Sequence, residues 1–112
     1  MTRRIHTSMF IVFLRFGAAR SQAGQWLEHH NRWLARGIEA GLVLLAGSLE
    51  GGQGGALIMA NLTRAEVDAQ LQQDPFVSEG VVVPEVHEIT PVKASPDMPP
   101  SLRPATRAAA TP

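Results

Sequence analysis

The sequence predicts an α+β protein whose elements run β-α-β-β-α-β, with four strands in one antiparallel sheet. Three observations carry that expectation. Four short apolar runs, rich in β-branched and aromatic residues, alternate with two stretches of helical periodicity. The second and third runs are joined by residues 50–55, where four of six positions are glycine, a connection suited to a hairpin. Pro84 falls inside the fourth run. It has no N–H to give to a ladder, so that strand belongs at a sheet edge or carries a bulge.

Residues 9–16, Met-Phe-Ile-Val-Phe-Leu-Arg-Phe, form the first strand. Met9, Ile11 and Phe13 lie on one face, and Phe10, Val12, Leu14 and Phe16 on the other, so it is expected to be covered on both sides. After a loop with Ser21 as candidate N-cap, residues 23–40 read as a helix with Leu27, Leu34 and Ile38 on one face and Gly41 as its stop. Residues 42–46 are a continuous apolar run, the second strand, and residues 56–59 the third. Thr63 and Glu66 fit a capping box that starts a second helix, with Val67 and Leu71 inward and an end near Gln73. Residues 81–86 form the fourth strand. This order is the ferredoxin-like arrangement, with the first strand inside the sheet and the fourth at an edge.

Two helices cover only one face of such a sheet, yet the first three strands have apolar residues on both. A second copy of the sheet packed face to face is the simplest cover, so a homodimer is expected. Length points the same way. A chain of 112 residues makes one domain and buries only about 65% of its unfolded surface. Ten basic and ten acidic residues balance, which gives no electrostatic case for nucleic acid or an anionic membrane. Cysteine is absent, so disulfides, thiol catalysis and thiolate metal sites are excluded. No apolar run approaches the ~20 residues of a membrane span, and a cytoplasmic protein is expected. Residues 1–8 are read as a disordered segment or an extension, and residues 9–91 as the domain. Residues 92–112 are a Pro/Ala-rich tail, largely disordered from Pro96 onward, since six of the eight prolines lie from Pro91 to the end.

The candidate chemistry centres on His30 and Asp74. Leu27, His30, Leu34 and Ile38 are spaced three, four and four, so His30 shares the inward stripe. Trp26 and Trp33 flank it at helical spacing. A half-buried imidazole there is either a satisfied core histidine or a general base. Asp74 falls three residues after Leu71 and seven after Val67, again on the inward side. Before Pro75 it suits an N-cap followed by a first-turn proline; alternatively it orients His30. One oxygen could do each.

His30, Gly41, Ala46-Gly47, Asp74-Pro75-Phe76 and Gly80, in that register, resemble the YCII-related family of dimeric α/β-barrel proteins over residues 9–91. The resemblance implies that His30 and Asp74 converge in a pocket on the sheet face as an acid/base pair. It also implies proton-shuttling chemistry on a small cyclic or aromatic metabolite, of the isomerase or dehydrochlorinase kind, without a cofactor. Two positions depart from the family's pattern. Leu27 stands where relatives often carry Arg, and Ser48 where they often carry Pro. Arg15 or Arg32 is the candidate replacement for that arginine, and Trp33, Arg15, Ser48 and Phe76 are the candidate substrate-binding residues. The same features fit a non-catalytic dimeric ligand-binding or regulatory module; a monooxygenase-like barrel rests on fold analogy alone.

Other patterns carry less. His29 and His30 diverge by about 100° on a helix and cannot readily chelate one ion, so no metal site is expected. The glycine stretch leads into no helix, which argues against a phosphate cradle. Ser48 lacks the elbow and base of a nucleophile.

Overall fold

The computed structural model describes residues 8–104. The expectations for residues 1–7 and 105–112 lie outside the described residues. The six predicted elements occur in the predicted order, joined by a short helix and a closing turn. In chain order they run β1 (Met9–Phe16), α1 (Ala23–Glu39), β2 (Val43–Ser48), β3 (Gly55–Ala60), α2 (Arg64–Gln72), the short helix α3 (Pro75–Ser78), β4 (Val82–Ile89) and a closing 3₁₀ turn at Pro100–Leu102. The strands form one antiparallel sheet in the order β2-β3-β1-β4, with β1 inside and β4 at an edge. Pro84 sits on that edge strand opposite Leu14, where its missing N–H costs no inner ladder bond.

Strand parity builds the core. Phe10, Val12 and Leu14 point to one face, where they pack with Leu57 and Met59 against Trp33, Val67 and Leu71 of the helices. All three helices therefore cover this face. Met9, Ile11 and Phe13 lie on the opposite face and are only half-buried. That face also carries a polar group from β4. Glu85 accepts from Arg15 Nε at 2.9 Å and contacts His87 Nε2 at 2.6 Å, and the Arg15 guanidinium stacks on Phe13.

The hydrogen bond to His87, then that from Arg15, hold the Glu85 carboxyl below its ordinary value of 4.5. A carboxyl depressed on folding contributes stability above its unfolded value and loses it as pH falls through the folded one. The Glu85 carboxylate should therefore remain ionised to lower pH than an unpaired glutamate. An NMR titration in which Arg15→Gln leaves the Glu85 midpoint unmoved would refute the pairing.

Local chemistry matches the sequence at several joints. Thr63 and Glu66 form the predicted capping box, with Glu66 N–H donating to Thr63 Oγ1 at 3.1 Å and Thr63 N–H to Glu66 Oε1 at 2.8 Å. Gly41 follows the α1 cap at φ 77°, a left-handed position that suits glycine. Gly54, at φ 112°, closes the β2–β3 hairpin, and a Cβ there would run into the Leu14 carbonyl.

Two expectations are corrected. Ser21 does not cap α1. It lies inside a 3₁₀ turn, Arg20–Gln22, closed by Gln22 N–H on the Ala19 carbonyl, which leads directly into the helix with Gln22 at the cap position. The inward face of α1 is also rotated from the predicted Leu27–Ile38 stripe. Leu27 and Ile38 are 49% and 53% exposed, whereas Trp33 is buried and donates its indole N–H to the Gln70 carbonyl at 3.0 Å. The larger apolar area and the polar handle of the indole set the helix rotation. Gly37 lies on this side, where a Cβ would come within 2.8 Å of Val43. In the tail, residues 96–104 make local contacts. Arg103 donates to the carbonyls of Met98 and Pro96, and Leu102 is only 2% exposed.

Candidate functional site

His30 stands on the inward side of α1, as its spacing predicts, and Asp74 is brought inward by the break between α2 and α3. Pro75 cannot continue the α2 ladder, so the chain turns at Asp74, whose extended backbone (φ −79°, ψ 120°) makes it the N-cap of α3. Its carboxylate Oδ1 accepts the Phe76 N–H at 3.0 Å and also meets His30 Nδ1 at 2.8 Å. The two sequence readings of Asp74, cap and partner, thus converge on one oxygen. Asp74 is fully buried, His30 is 8% exposed, and Asp74 Oδ2 is buried without a hydrogen-bond partner among the described residues.

The pair fixes the imidazole tautomer. An ionised carboxylate only accepts, and Oδ1 already accepts from Phe76, so the His30 Nδ1 carries a hydrogen and donates it. The lone pair then resides on Nε2, which has no hydrogen-bond partner among the described residues. The ring plane is fixed by stacking. Phe76 lies parallel to it at 4.0 Å between centroids with 5° between planes, and Trp33 lies at 6.3 Å and 23°. The expected arrangement of two flanking indoles is replaced by one phenyl and one indole, because Trp26 packs edge-on against His29 instead.

His30 opens onto a cavity of about 350 Å³ between α1 and the helix-covered face of the sheet. α1 supplies Leu27, His30, Asn31 and Leu34 to its wall, and β1 supplies Leu14 and Phe16. The hairpin contributes Ala46, Ser48, Gly54 and Leu57 among others, and Phe76 and Val82 close the far side. The wall is largely apolar, with its polar side chains confined to His30, Asn31 and Ser48. Such a site suits a small organic ligand held by few polar contacts.

Of the sequence candidates, His30, Asp74, Phe76 and Ser48 come together at or immediately behind this cavity. Trp33 is packed beneath His30 and does not line it. Arg15 lies on the opposite face of the sheet, paired with Glu85. Arg32 pairs with Glu28 on the outer side of α1. Neither arginine lines the cavity, so neither stands in there for the arginine that Leu27 replaces. Asn31 and the hairpin glycines were missed. Asn31 among charged neighbours reads as a solvated helix position, although glycine inside a strand is a recognised sign of close approach by ligand or backbone. Among the described residues no group of three or more His, Cys, Asp or Glu could hold a metal ion, and no helix is long and apolar enough to cross a membrane.

Fold and site together define a ferredoxin-like α+β protein with a buried His–Asp pair behind an apolar cavity. No family model matches the chain, and no curated protein matches it. Among solved structures it is similar to 5-chloro-2-hydroxyhydroquinone dehydrochlorinase from Burkholderia phenoliruptrix AC1100, in complex with 2,5-dihydroxybenzoquinone. The TM-score is 0.58 at 20% identity, covering 70% of this chain and 90% of that one. At that identity the likeness speaks for the fold.

Proposed function

We propose that the chain is a small enzyme of the YCII-related type in which His30 and Asp74 move a proton on a small cyclic or aromatic metabolite. The observation that carries the reading is the 2.8 Å contact between His30 Nδ1 and Asp74 Oδ1, with the imidazole lining the cavity. Asp74 orients the ring and stabilises the imidazolium; Nε2 takes the proton. The electron pair left by the proton stays on the substrate as an enolate or phenolate. In an isomerisation the imidazolium returns the proton to a different atom. In an elimination the leaving group departs with its bonding pair, and the proton passes from His30 to solvent. Neither course requires a cofactor. The named activity of the similar structure, a dehydrochlorinase, lies within the second course and supports the reading at the level of reaction class.

Incubating the protein in D₂O with a panel of halogenated hydroquinones and cyclic lactones tests it. Deuterium incorporation or halide release that disappears in His30→Gln is expected. A second reading, a ligand-binding module without chemistry, is favoured by one fact: Asp74 Oδ1 is already engaged as the α3 cap. That module would bind rings from the panel and exchange no proton.

We also propose a homodimer in the cytoplasm, a compartment compatible with the cysteine-free sequence. The half-buried Met9, Ile11, Phe13 and Ile58 on the uncovered sheet face support face-to-face pairing. Light scattering of dilute protein should give twice the protomer mass, and Ile11→Asp should lose the dimer and solubility together. A stable wild-type monomer would sink the proposal.

A further inference from the structure

We infer that Asn31 and Ser48 are positioning residues that select an uncharged, oxygen-bearing ring over a carboxylate of the same size. The inference rests on the proton-transfer reading of the same cavity and adds the charge of what enters it.

The wall holds no lysine, arginine, aspartate or glutamate. A carboxylate entering it would lose hydration without meeting a lysine or arginine, which is costly in a largely apolar site. It would also approach the buried Asp74 carboxylate behind His30, and like charges repel. A neutral ring avoids both penalties. When it gives its proton to Nε2, the imidazolium stands between Asp74 and the new substrate anion, and the charge of the complex is unchanged.

Asn31 and Ser48 supply the remaining contacts. They come from different elements, α1 beside His30 and the end of β2, and their side chains make no hydrogen bond among the described residues. An amide and a hydroxyl can each donate and accept, which suits a ring hydroxyl or carbonyl. The volume agrees. An apolar cavity of ~150 Å³ takes a benzene, so about 350 Å³ leaves room for ring substituents. Arg20 is the cation to consider, since its guanidinium lies 4.0 Å from the centroid of the Phe16 ring, which lines the cavity. Arg20 itself is exposed and does not line the wall.

The test titrates the full-length protein with phenol and with benzoate at neutral pH, by calorimetry and by ¹H–¹⁵N spectra. Phenol is expected to bind at least tenfold more tightly and to shift the resonances of Asn31 and Ser48. Asn31→Leu and Ser48→Ala should each weaken phenol several-fold. Asn31→Lys, at an exposed helix position, should reverse the preference toward benzoate, an effect that a purely structural asparagine would not produce. Equal or tighter benzoate binding by the wild type overturns the inference, as does failure of both probes to bind. Benzoate binding that is lost in Arg20→Gln overturns it too and moves the selecting charge to the rim. Phenol selectivity without proton exchange on any ring would leave this inference standing and remove the proton-transfer reading instead.

Discussion

His30→Ala is expected to lower the free energy of unfolding by about 1–3 kcal/mol, the cost of leaving a buried hydrogen-bond acceptor without its donor. The expectation follows from what stays behind. Asp74 is fully buried, and among the described residues its Oδ2 has no partner and its charge, without the imidazole, would be met only by the Phe76 N–H. The lost stacking on Phe76 at 4.0 Å and on Trp33 adds a packing cost of about 0.5–1.5 kcal/mol per aromatic pair. Urea denaturation measures the total, and a double-mutant cycle separates its parts. In an Asp74→Asn background no charge is stranded, so the same His30→Ala change should cost at least 1 kcal/mol less. An equal cost in both backgrounds would mean that His30 contributes by packing alone.

Much of this arrangement was legible before any coordinates, because it follows from local rules. Alternation along residues 9–16 gave β1 its two faces, Pro84 marked an edge, and Thr63–Glu66 announced a helix start. Asp74 before Pro75 declared a cap, and its inward spacing declared a neighbour. Parity could have said more. Arg15 is an odd position on β1, sharing a face with Phe13 and opposed to Leu14, so it cannot reach a cavity on the helix-covered side. The rotation of α1 was not legible. Two apolar stripes were available, and the choice of Trp33 over Leu27 depends on where α2 offers the Gln70 carbonyl. Ser48 reaches the cavity through its register opposite Gly55, a pairing that depends on the bulge between Val43 and Leu45. The burial of Leu102 is a tertiary event with no periodic signal in a proline-rich tail.

Asp74→Asn separates chemistry from architecture. The amide oxygen can occupy the place of Oδ1, keep the Phe76 N–H at the start of α3 and still accept from His30 Nδ1. Stability should therefore change by no more than about 1 kcal/mol, the scale of one neutral hydrogen bond. Proton transfer should suffer far more. The wild-type carboxylate holds the tautomer that leaves Nε2 free and neutralises the imidazolium once it forms. An amide can flip to offer its NH₂ to Nδ1, which would place the ring hydrogen on Nε2 and remove the base. The rate of deuterium exchange, on whichever ring the wild type exchanges, is expected to fall about 10²- to 10⁴-fold. The ¹H–¹⁵N spectrum of the backbone and the affinity for the ring should stay near wild type. Retention of exchange within a factor of three in a folded Asp74→Asn protein would assign the carboxylate to capping alone and leave His30 without its proposed partner.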